Sequence, residues 1–267
     1  MSVPVNQFKR AITEGKTVFG LWVALASPHA AEVCAGSGFD WILIDGEHGP
    51  NDIPLIAQQL AAVARHPAHP VVRLPVGETW MIKQALDIGA QTILIPMVDT
   101  PEQALQMARA CRYPPAGVRG LGASLGRASN FGRVPNYVET ANDEVCCLVQ
   151  IESRTAIANL DAIAMTEGVD GLFVGPADLS ADMGFAGSPR APELVETVVK
   201  AIRRIRELGK PAGIMTTDQN LIDKAIEAGA NFVAVGSDVG LLVKAAEGLV
   251  APYKPKDPAA VRAPSLY

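Results

Sequence analysis

Short apolar runs alternate with longer segments of helical periodicity along most of the chain. The runs contain too few polar positions to leave one face in water, which is typical of buried parallel strands. We predict eight strands, at 18–24, 41–44, 71–74, 92–96, 148–151, 171–174, 212–215 and 232–235. We predict helices before and between them, at 5–14, 28–35, 53–64, 80–88, 101–110, 154–166, 193–207, 219–227 and 240–249.

Eight strand–helix units within 267 residues predict an α/β fold, a single (β/α)8 TIM barrel. We expect one barrel domain over 1–267, with an extra N-terminal helix before it and an extended tail from about residue 252. The alternative is an open doubly wound sheet. It is disfavoured because no GxGxxG turn follows an early strand.

Two segments interrupt this alternation. Residues 113–144 are rich in Gly, Pro, Ser and Arg and too long for an ordinary connection, so we interpret them as a functional loop or an interface arm. The tail at 252–267 contains four prolines, and we expect it to be disordered or extended along a neighbouring subunit. Five residues are predicted to cap helices at their N-termini: Ser27, Asn51, Thr100, Ser153 and Thr217.

Composition narrows the class of protein. A net charge of −5 without a basic tract excludes ordinary nucleic-acid binding. Four cysteines without a CxxC pair indicate reduced thiols, and hence a cytoplasmic protein. The first residues lack the apolar core of a secretory signal, and no apolar run reaches the length of a membrane span.

Two carboxylates follow neighbouring predicted strands, Glu152 after 148–151 and Asp178 after 171–174. Parallel strands place their carboxyl ends on one rim, where two acids are costly without a cation. Gln150 lies two residues before Glu152 and shares its face of the strand. Such oxygen donors suit Mg²⁺ or Mn²⁺. Glu152 as a helix cap and Asp178 as a helix start is an equally open interpretation.

Arg73 lies inside the apolar run VVRLP, where an unpaired guanidinium is costly to bury. One interpretation is an electrostatic clamp on a developing oxyanion. The other is a salt bridge to Asp45 or Glu47 that ties two strands together.

His48 follows Asp45 at a strand end, and a carboxylate that orients an imidazole makes a plausible general base. A purely structural histidine is the alternative. Asp87, on a predicted helix, either bonds across a subunit contact or is solvated. No lysine lies at the carboxyl end of a predicted strand, which disfavours Schiff-base chemistry.

Five motifs in this order resemble a known family. They are WILIDGEH at 41–48, RLP at 73–75, YPPAGVRG at 113–120, QIE at 150–152 and FVGPADLS at 173–180. The chain is similar to the class II, metal-dependent pyruvate aldolases, which include 4-hydroxy-2-oxoheptanedioate and 2-dehydro-3-deoxyglucarate aldolases. The resemblance extends from about residue 6 to residue 252.

The resemblance implies roles for the residues at the barrel rim. Glu152 and Asp178 would ligate a divalent ion, Mg²⁺, Mn²⁺ or Co²⁺. A second group would hold the carboxylate and keto oxygen of a 2-oxo acid: the Gln150 side chain and the backbone at Gly175, Pro176 and Ala177.

It also implies a mechanism and an assembly. Arg73 would stabilise the enolate of pyruvate or hydroxypyruvate, and His48 supported by Asp45 would be the base. The enolate would add to an aldehyde in a pocket lined by Trp22, Met215 and the long loop. The resemblance further implies a homo-hexamer, a trimer of dimers in which a C-terminal helix is often exchanged and Asp87 assists a neighbouring subunit.

Three points stay open on the sequence. A lyase acting on a thioester or a phosphoenolpyruvate-type substrate needs a basic cluster, and only the helix start at 236–238 is a candidate phosphate site. A non-catalytic keto-acid binder is a third possibility. Arg127 and Arg133 either pair with a second substrate carboxylate or are solvated.

Overall fold

The computed structural model describes residues 3–254, which contain a closed barrel of eight parallel strands in chain order. The strands are β1 (Val18–Val23), β2 (Trp41–Asp45), β3 (His69–Arg73), β4 (Thr92–Ile95), β5 (Cys146–Ile151), β6 (Gly171–Val174), β7 (Ala212–Met215) and β8 (Phe232–Ser237). Pairing of β1 with β8 closes the barrel. The prediction of a TIM barrel is confirmed.

Helices surround the barrel and precede it. They are α1 (Gln7–Thr13), α2 (Pro28–Ala35), α3 (Ile53–Val63), α4 (Thr79–Asp87), α5 (Pro101–Ala110), α6 (Tyr137–Glu144), α7 (Arg154–Ala158), α8 (Leu160–Ala164), α9 (Pro176–Asp182), α10 (Pro192–Glu207), α11 (Gln219–Glu227) and α12 (Asp238–Val250). Within residues 3–254, every helix is too short or too polar to cross a lipid bilayer.

Alternating positions of each strand face two different cores. Outward side chains pack under the helices, while inward ones form an interior cluster with several aromatic rings. Phe8 of α1 belongs to that cluster and packs 5.6 Å from Trp41 and 5.8 Å from Phe232, centroid to centroid. The predicted N-terminal helix therefore closes the end of the barrel at which the strands begin.

Two predicted N-caps were wrong by one residue, although the predicted starts of their helices are correct. Asp52 rather than Asn51 caps α3, and Asp218 rather than Thr217 caps α11. The Asn51 side chain instead donates to the Asp45 carbonyl at 2.7 Å. The caps at Ser27, Thr100 and Ser153 are confirmed.

The predicted helix at 154–166 is two short helices. They meet at Asn159, whose side-chain amide donates to the Asp99 carbonyl at 2.8 Å. The break ties the start of the second helix to the loop after β4. Helices α6 and α9 are not in the predicted set.

The long segment at 113–144 is ordered rather than featureless. It contains two 3-10 turns, Ala123–Leu125 and Arg127–Ser129, and ends in α6. Arg127 donates at 3.4 Å to the carbonyls of Leu60 and Ile88, near the ends of α3 and α4. Those helices run back from the carboxyl rim, so this contact holds the segment toward the opposite end of the barrel.

Helix α12 differs from the other long helices. Only Asp238 is buried in it, and it exposes six large apolar side chains: Val239, Leu241, Leu242, Val243, Leu249 and Val250. A short 3-10 turn follows, Ala251–Tyr253. The expectation for the tail beyond residue 254 lies outside the described residues.

Candidate active site

The candidate site is the last interior layer of the barrel at the carboxyl ends of the strands. Strand side chains alternate between the two faces, so the inward row of each strand ends in a residue that faces the rim. Five such residues end the inward rows of β1, β2, β3, β5 and β7: Trp22, Asp45, Arg73, Gln150 and Met215. In a barrel of this kind, the carboxyl rim is where chemistry takes place.

Arg73 and Asp45 form a two-point ion pair across adjacent strands. They are register partners, and the Arg73 Nε and Nη2 atoms each donate at 2.8 Å to one Asp45 carboxylate oxygen. Arg73 Nη1 lies 2.7 Å from Glu47 Oε2, and the guanidinium lies over the Trp22 ring at 5.0 Å. The salt-bridge interpretation is therefore confirmed, and it fixes the plane of the guanidinium at the rim.

Asp45 holds the strand end together. It accepts from Trp22 Nε1 at 3.3 Å and from the backbone N–H groups of Glu47 and His48 at 3.0 and 3.4 Å. Burial alone would raise the pKa of Asp45. The Arg73 guanidinium and the two backbone N–H groups outweigh burial and lower the pKa below its usual value.

The expected Asp45–His48 pair differs from what the structure shows. The backbone N–H of His48 donates to the Asp45 carboxylate. Among residues 3–254, no hydrogen bond joins the Asp45 carboxylate to the His48 imidazole. The physical reason is competition, because a guanidinium that binds both carboxylate oxygens is the stronger partner. The His48 side chain is exposed and lines the cleft described below.

Glu152 is fixed by three elements. Its Oε1 accepts from the backbone N–H of Met97 at 2.7 Å, and its Oε2 accepts from Gln150 Nε2 at 2.6 Å. At Gly175, after β6, a Cβ atom would lie 2.5 Å from Glu152 Oε2. Glycine is thus required there for close approach to the carboxylate.

Burial, the largest cause, acts together with the negative charges of Asp178 and Glu47 to raise the pKa of Glu152 to about 7, although the Met97 hydrogen bond and the Arg73 charge oppose the shift. Asp178 itself lies in the first turn of α9 with an exposed side chain. The position of Asp178 at a helix start agrees with the capping interpretation, but the other half of that interpretation is wrong, because Ser153 rather than Glu152 caps α7. The charge of Asp178 acts on Glu152, as expected of two carboxylates at one rim.

The donor chemistry fits a divalent cation. Glu152 is a buried carboxylate whose pKa is raised by burial and by the charge of a second carboxylate, so a bound cation would stabilise its ionised form. The Gln150 Oε1 atom is buried and has no hydrogen-bond partner within residues 3–254. No set of three or more His, Cys, Asp or Glu with metal-binding geometry is found in that range. The protein ligands here would be two carboxylates, with Gln150 beside them.

Two cavities meet at this rim. The small one, about 20 Å³, is lined by Trp22, Arg73, Gln150, Glu152, Phe173, Gly175, Pro176, Ala177, Asp178 and Met215. The larger one is an open cleft of about 620 Å³, lined by Trp22, Ala24, Asp45, His48, Arg73, Asp178, Ser237, Val239, Gly240 and Val243. Trp22, Arg73 and Asp178 line both, so the cavities adjoin.

Eleven of the twelve predicted site residues line one or both cavities, and Asp87 is the exception. It ends α4, on the far side of the barrel from the rim, and accepts from Arg119 Nη2 at 2.6 Å. Arg119 is buried and stacks at 4.3 Å on Tyr113 of the long segment. Within one chain, Asp87 is therefore not part of the site.

Sequence reasoning missed two groups at the rim. Met97 has a left-handed backbone at φ 54° and donates its N–H to Glu152, a placement with no signature in the sequence. Val239 and Val243 line the cleft from α12 at helical spacing, so the periodicity of α12 was a usable signal.

The helix start at 236–238 is already filled by its own side chains. The Ser237 hydroxyl accepts from Gly240 N at 3.1 Å, and Asp238 accepts from Val239 N at 2.7 Å and Ala24 N at 2.9 Å. A carboxylate in this position repels a phosphate. The structure therefore argues against the phosphoenolpyruvate-type alternative at this helix.

Comparison with known proteins agrees with the resemblance to aldolases that the sequence motifs show. The model of the HpcH/HpaI aldolase/citrate lyase family matches residues 18–245. A hydroxypyruvate/pyruvate aldolase of Roseobacter denitrificans is 51% identical over 254 residues, which cover 95% of this chain and 99% of that protein. A 4-hydroxy-2-oxo-heptane-1,7-dioate aldolase of Escherichia coli is 51% identical over 248 residues, 93% of this chain and 95% of that protein.

Among solved structures, an HpcH/HpaI aldolase/citrate lyase family protein from Burkholderia cenocepacia J2315 superposes with a TM-score of 0.90 at 38% identity. The match covers 94% of this chain and all of that one. The family expected from the motifs is thus confirmed across nearly the whole length. The chain belongs to the HpcH/HpaI aldolase/citrate lyase family.

Proposed function

We propose that this chain is a class II aldolase that joins the enolate of pyruvate or hydroxypyruvate to an aldehyde and cleaves 4-hydroxy-2-oxo acids in reverse. Such a reaction makes it a carbon–carbon lyase. The observation that carries the proposal is the convergence of Glu152, Gln150 and Arg73 on one small cavity. Its relatives named as aldolases support the same reaction class.

The 2-oxo acid is proposed to occupy the small cavity. Glu152 and Asp178 would hold a divalent ion there, Mg²⁺, Mn²⁺ or Co²⁺, next to the unpartnered Oε1 of Gln150. When bound, such an ion supplies Lewis-acid polarisation of the keto group. The narrow turn at Gly175 brings the backbone of Pro176 and Ala177 against the same space, where it can contact the substrate carboxylate.

Arg73 is proposed to offset the charge of the enolate. Its guanidinium is held rigidly by Asp45, Glu47 and the Trp22 ring, so it needs no reorganisation as charge develops. His48 lines the adjoining cleft and is the proposed base that takes the C3 proton. Asp45 then acts on catalysis through Arg73 and the backbone of His48 rather than through the imidazole.

The proposed assembly is a homo-hexamer, a trimer of dimers. Its support is α12, which exposes apolar side chains along most of its length and packs chiefly against β1 and β8 through its first turns. A helix exchanged with a second copy would cover that face. The same assembly is what would bring Asp87 of one copy to the rim of another.

One experiment tests the reaction. Retro-aldol cleavage of a 4-hydroxy-2-oxo acid is followed through pyruvate release after exhaustive chelation and after adding Mg²⁺, Mn²⁺ or Co²⁺ separately. We expect chelation to abolish turnover and at least one ion to restore it. Full turnover without metal, or trapping of a pyruvate adduct by borohydride, would contradict the proposal.

A further inference from the structure

The loop that follows β4 and the turn that follows β5 exchange hydrogen bonds in both directions. From the loop, the backbone N–H of Met97 donates to Glu152 Oε1 at 2.7 Å. From the turn, the hydroxyl of Ser153 donates to the Asp99 carboxylate. Glu152 and Ser153 are consecutive, and Met97 and Asp99 are two residues apart, so the two bonds lie side by side along the chain.

Asp99 is bound to three different elements through its backbone and its side chain. Its N–H donates to Gln103 Oε1 of α5 at 2.8 Å, and its carbonyl accepts from Asn159 Nδ2, between α7 and α8, at 2.8 Å. The carboxylate, which is half-buried, accepts from Ser153. Asp99 therefore fixes the loop after β4 to two neighbouring parts of the rim.

The conformation of Met97 needs such support. Its backbone is left-handed, at φ 54°, and a residue with a β-carbon keeps that conformation only where its surroundings hold it. The Met97 side chain is 53% exposed, so its own packing contributes little. The support comes from the next two residues, the buried Val98, whose N–H donates to the Gln150 carbonyl at 3.4 Å, and Asp99.

The two oxygens of the Glu152 carboxylate have donors of different origin. Gln150 Nε2 donates to Oε2 at 2.6 Å from within the same strand, so this bond moves with β5. Met97 N donates to Oε1 from the neighbouring loop, so this bond depends on where that loop lies. A shift of the loop would leave the carboxylate free to rotate about its remaining bond.

We propose that Asp99 is a positioning residue for Glu152. By accepting from Ser153, Asp99 holds the loop after β4 against the turn after β5, so that the Met97 N–H keeps the Glu152 carboxylate in one orientation. The inference rests on the proposed function, in which Glu152 binds the divalent ion. Asp99 lines neither of the two cavities at the rim, so it acts through Ser153 and Met97 rather than on the ion or the substrate.

A purely structural role for Asp99 makes a different prediction. Ser153 also caps α7, accepting from Ala156 N at 2.9 Å, and Asp99 directly precedes Thr100, the N-cap of α5. If Asp99 only secured these helix starts, its loss would lower the stability of the fold and leave the affinity for metal unchanged. Metal affinity therefore separates the two roles.

The test is a calorimetric Mn²⁺ titration with urea denaturation of each variant. Asp99→Ala should weaken Mn²⁺ binding by about tenfold or more, the scale for a group that orients a metal ligand. Asp99→Asn keeps an oxygen that accepts from Ser153 and should restore most of the affinity. Asp52→Ala is the matched control, because Asp52 caps α3 through Leu55 N at 2.9 Å. It should lower stability without changing Mn²⁺ affinity.

A double-mutant cycle tests whether Asp99 and Ser153 act together. Ser153→Ala breaks the same bond from the other side and should also weaken Mn²⁺ binding by about tenfold. Because one bond cannot be lost twice, Asp99→Ala/Ser153→Ala should bind Mn²⁺ little more weakly than the weaker single variant. Fully additive losses would overturn the proposal.

The outcomes separate this inference from the proposed function. Unchanged Mn²⁺ affinity in Asp99→Ala, alongside wild-type protein that binds Mn²⁺ and turns over, would overturn the role of Asp99 and uphold the aldolase. Wild-type protein that neither binds Mn²⁺ nor turns over would overturn both. If Asp99→Ala does not fold, Ser153→Ala alone decides, because unchanged Mn²⁺ affinity in that variant would overturn the proposal.

Discussion

Asp45 and Glu152 are two carboxylates at one rim whose pKa values are shifted in opposite directions. Both are almost fully buried, with 1% and 3% of their surface exposed. Asp45 meets a guanidinium at two points, and its pKa is lowered. Glu152 meets only an amide and a backbone N–H, and its pKa is raised to about 7.

The difference between the two carboxylates is a cation, not burial. Asp45 has its positive partner built into β3, whereas Glu152 is oriented by neutral donors and faces a second carboxylate, Asp178. A protein that keeps one buried acid permanently paired and leaves the next one unpaired has prepared the second for an external positive charge. Four changes test this contrast, and their expected effects decrease from the first to the last.

Removing the built-in cation should have the largest effect. Arg73→Met leaves Asp45 buried and unpaired, so we expect unfolding free energy to fall by about 3–5 kcal/mol. Turnover should fall by about 10²–10³-fold because a fixed positive group is lost from the rim. Urea denaturation and retro-aldol assays measure the two losses. The double variant Asp45→Asn/Arg73→Met should regain most of the stability but none of the activity, and a stable single variant would contradict the ion-pair argument.

Neutralising each carboxylate in turn should give opposite profiles. Glu152→Gln should weaken Mn²⁺ binding by at least about a hundredfold, which exceeds the usual effect of removing a residue that only hydrogen-bonds to a metal ligand. The stability of the metal-free protein should change little. Asp45→Asn should leave Mn²⁺ affinity nearly unchanged but destabilise the fold by about 2 kcal/mol, because the Arg73 guanidinium loses its charged partner. Calorimetric Mn²⁺ titration and urea denaturation of both variants check this. Similar profiles for the two would refute the contrast.

The pH dependence of stability should reveal Glu152 in the metal-free protein. Its folded pKa of about 7 lies above the usual 4.5, so the folded state binds more protons than the unfolded state between these values. The contribution of Glu152 to the free energy of unfolding is therefore largest below about pH 4.5 and is lost as pH rises to about 7. We expect this contribution to decline by on the order of 3 kcal/mol. The measurement is the unfolding free energy of the wild-type protein minus that of Glu152→Gln, from pH 4.5 to 8 in chelator. This difference isolates the contribution of Glu152.

Saturating Mn²⁺ provides the control for that measurement. A bound cation favours the ionised carboxylate, so the decline between pH 4.5 and 7 should be reduced when metal is present. A difference curve that is flat in chelator would show that Glu152 is ionised throughout without a cation.

The smallest expected effect is steric. In Gly175→Ala the new methyl group would lie 2.5 Å from Glu152 Oε2, so the carboxylate must move. We expect a stability loss of about 1–3 kcal/mol and roughly tenfold weaker Mn²⁺ binding. Gly236→Ala is the matched control at the end of β8, because its nearest contact would be 3.6 Å away at Leu21. Equal behaviour of the two variants would show that close approach at Gly175 is unimportant.

The sequence predicted the barrel and the rim residues because both depend on local pattern. Apolar runs marked the strands, and polar residues at the end of each run marked the rim, so Glu152, Gln150 and Arg73 were found without knowing any contact. The partner of Arg73 required the register of β2 against β3, which spacing does not give. Both Asp45 and Glu47 therefore stayed open as partners, and both contact it.

What the sequence could not supply depended on competition between nearby groups. Asp45 was expected to orient the His48 imidazole, but Arg73 binds the carboxylate more strongly. Helix α9 was missed because it has only seven residues and follows its strand after a single residue, Gly175. Helix α6 was missed because the Gly- and Pro-rich residues before it obscured its short pattern. The expected role of Asp87 depends on a second copy of the chain, and a single sequence does not show how two copies are arranged.

The backbone N–H of Met97 offers a spectroscopic view of the site. This residue has a left-handed backbone and a side chain that is 53% exposed, yet its N–H bonds directly to the buried Glu152 carboxylate. An amide proton in that position senses the charge of its acceptor. Its ¹H and ¹⁵N resonances should therefore shift both when Glu152 is protonated and when a diamagnetic ion such as Mg²⁺ binds. One amide signal would then report metal occupancy in solution without any added label.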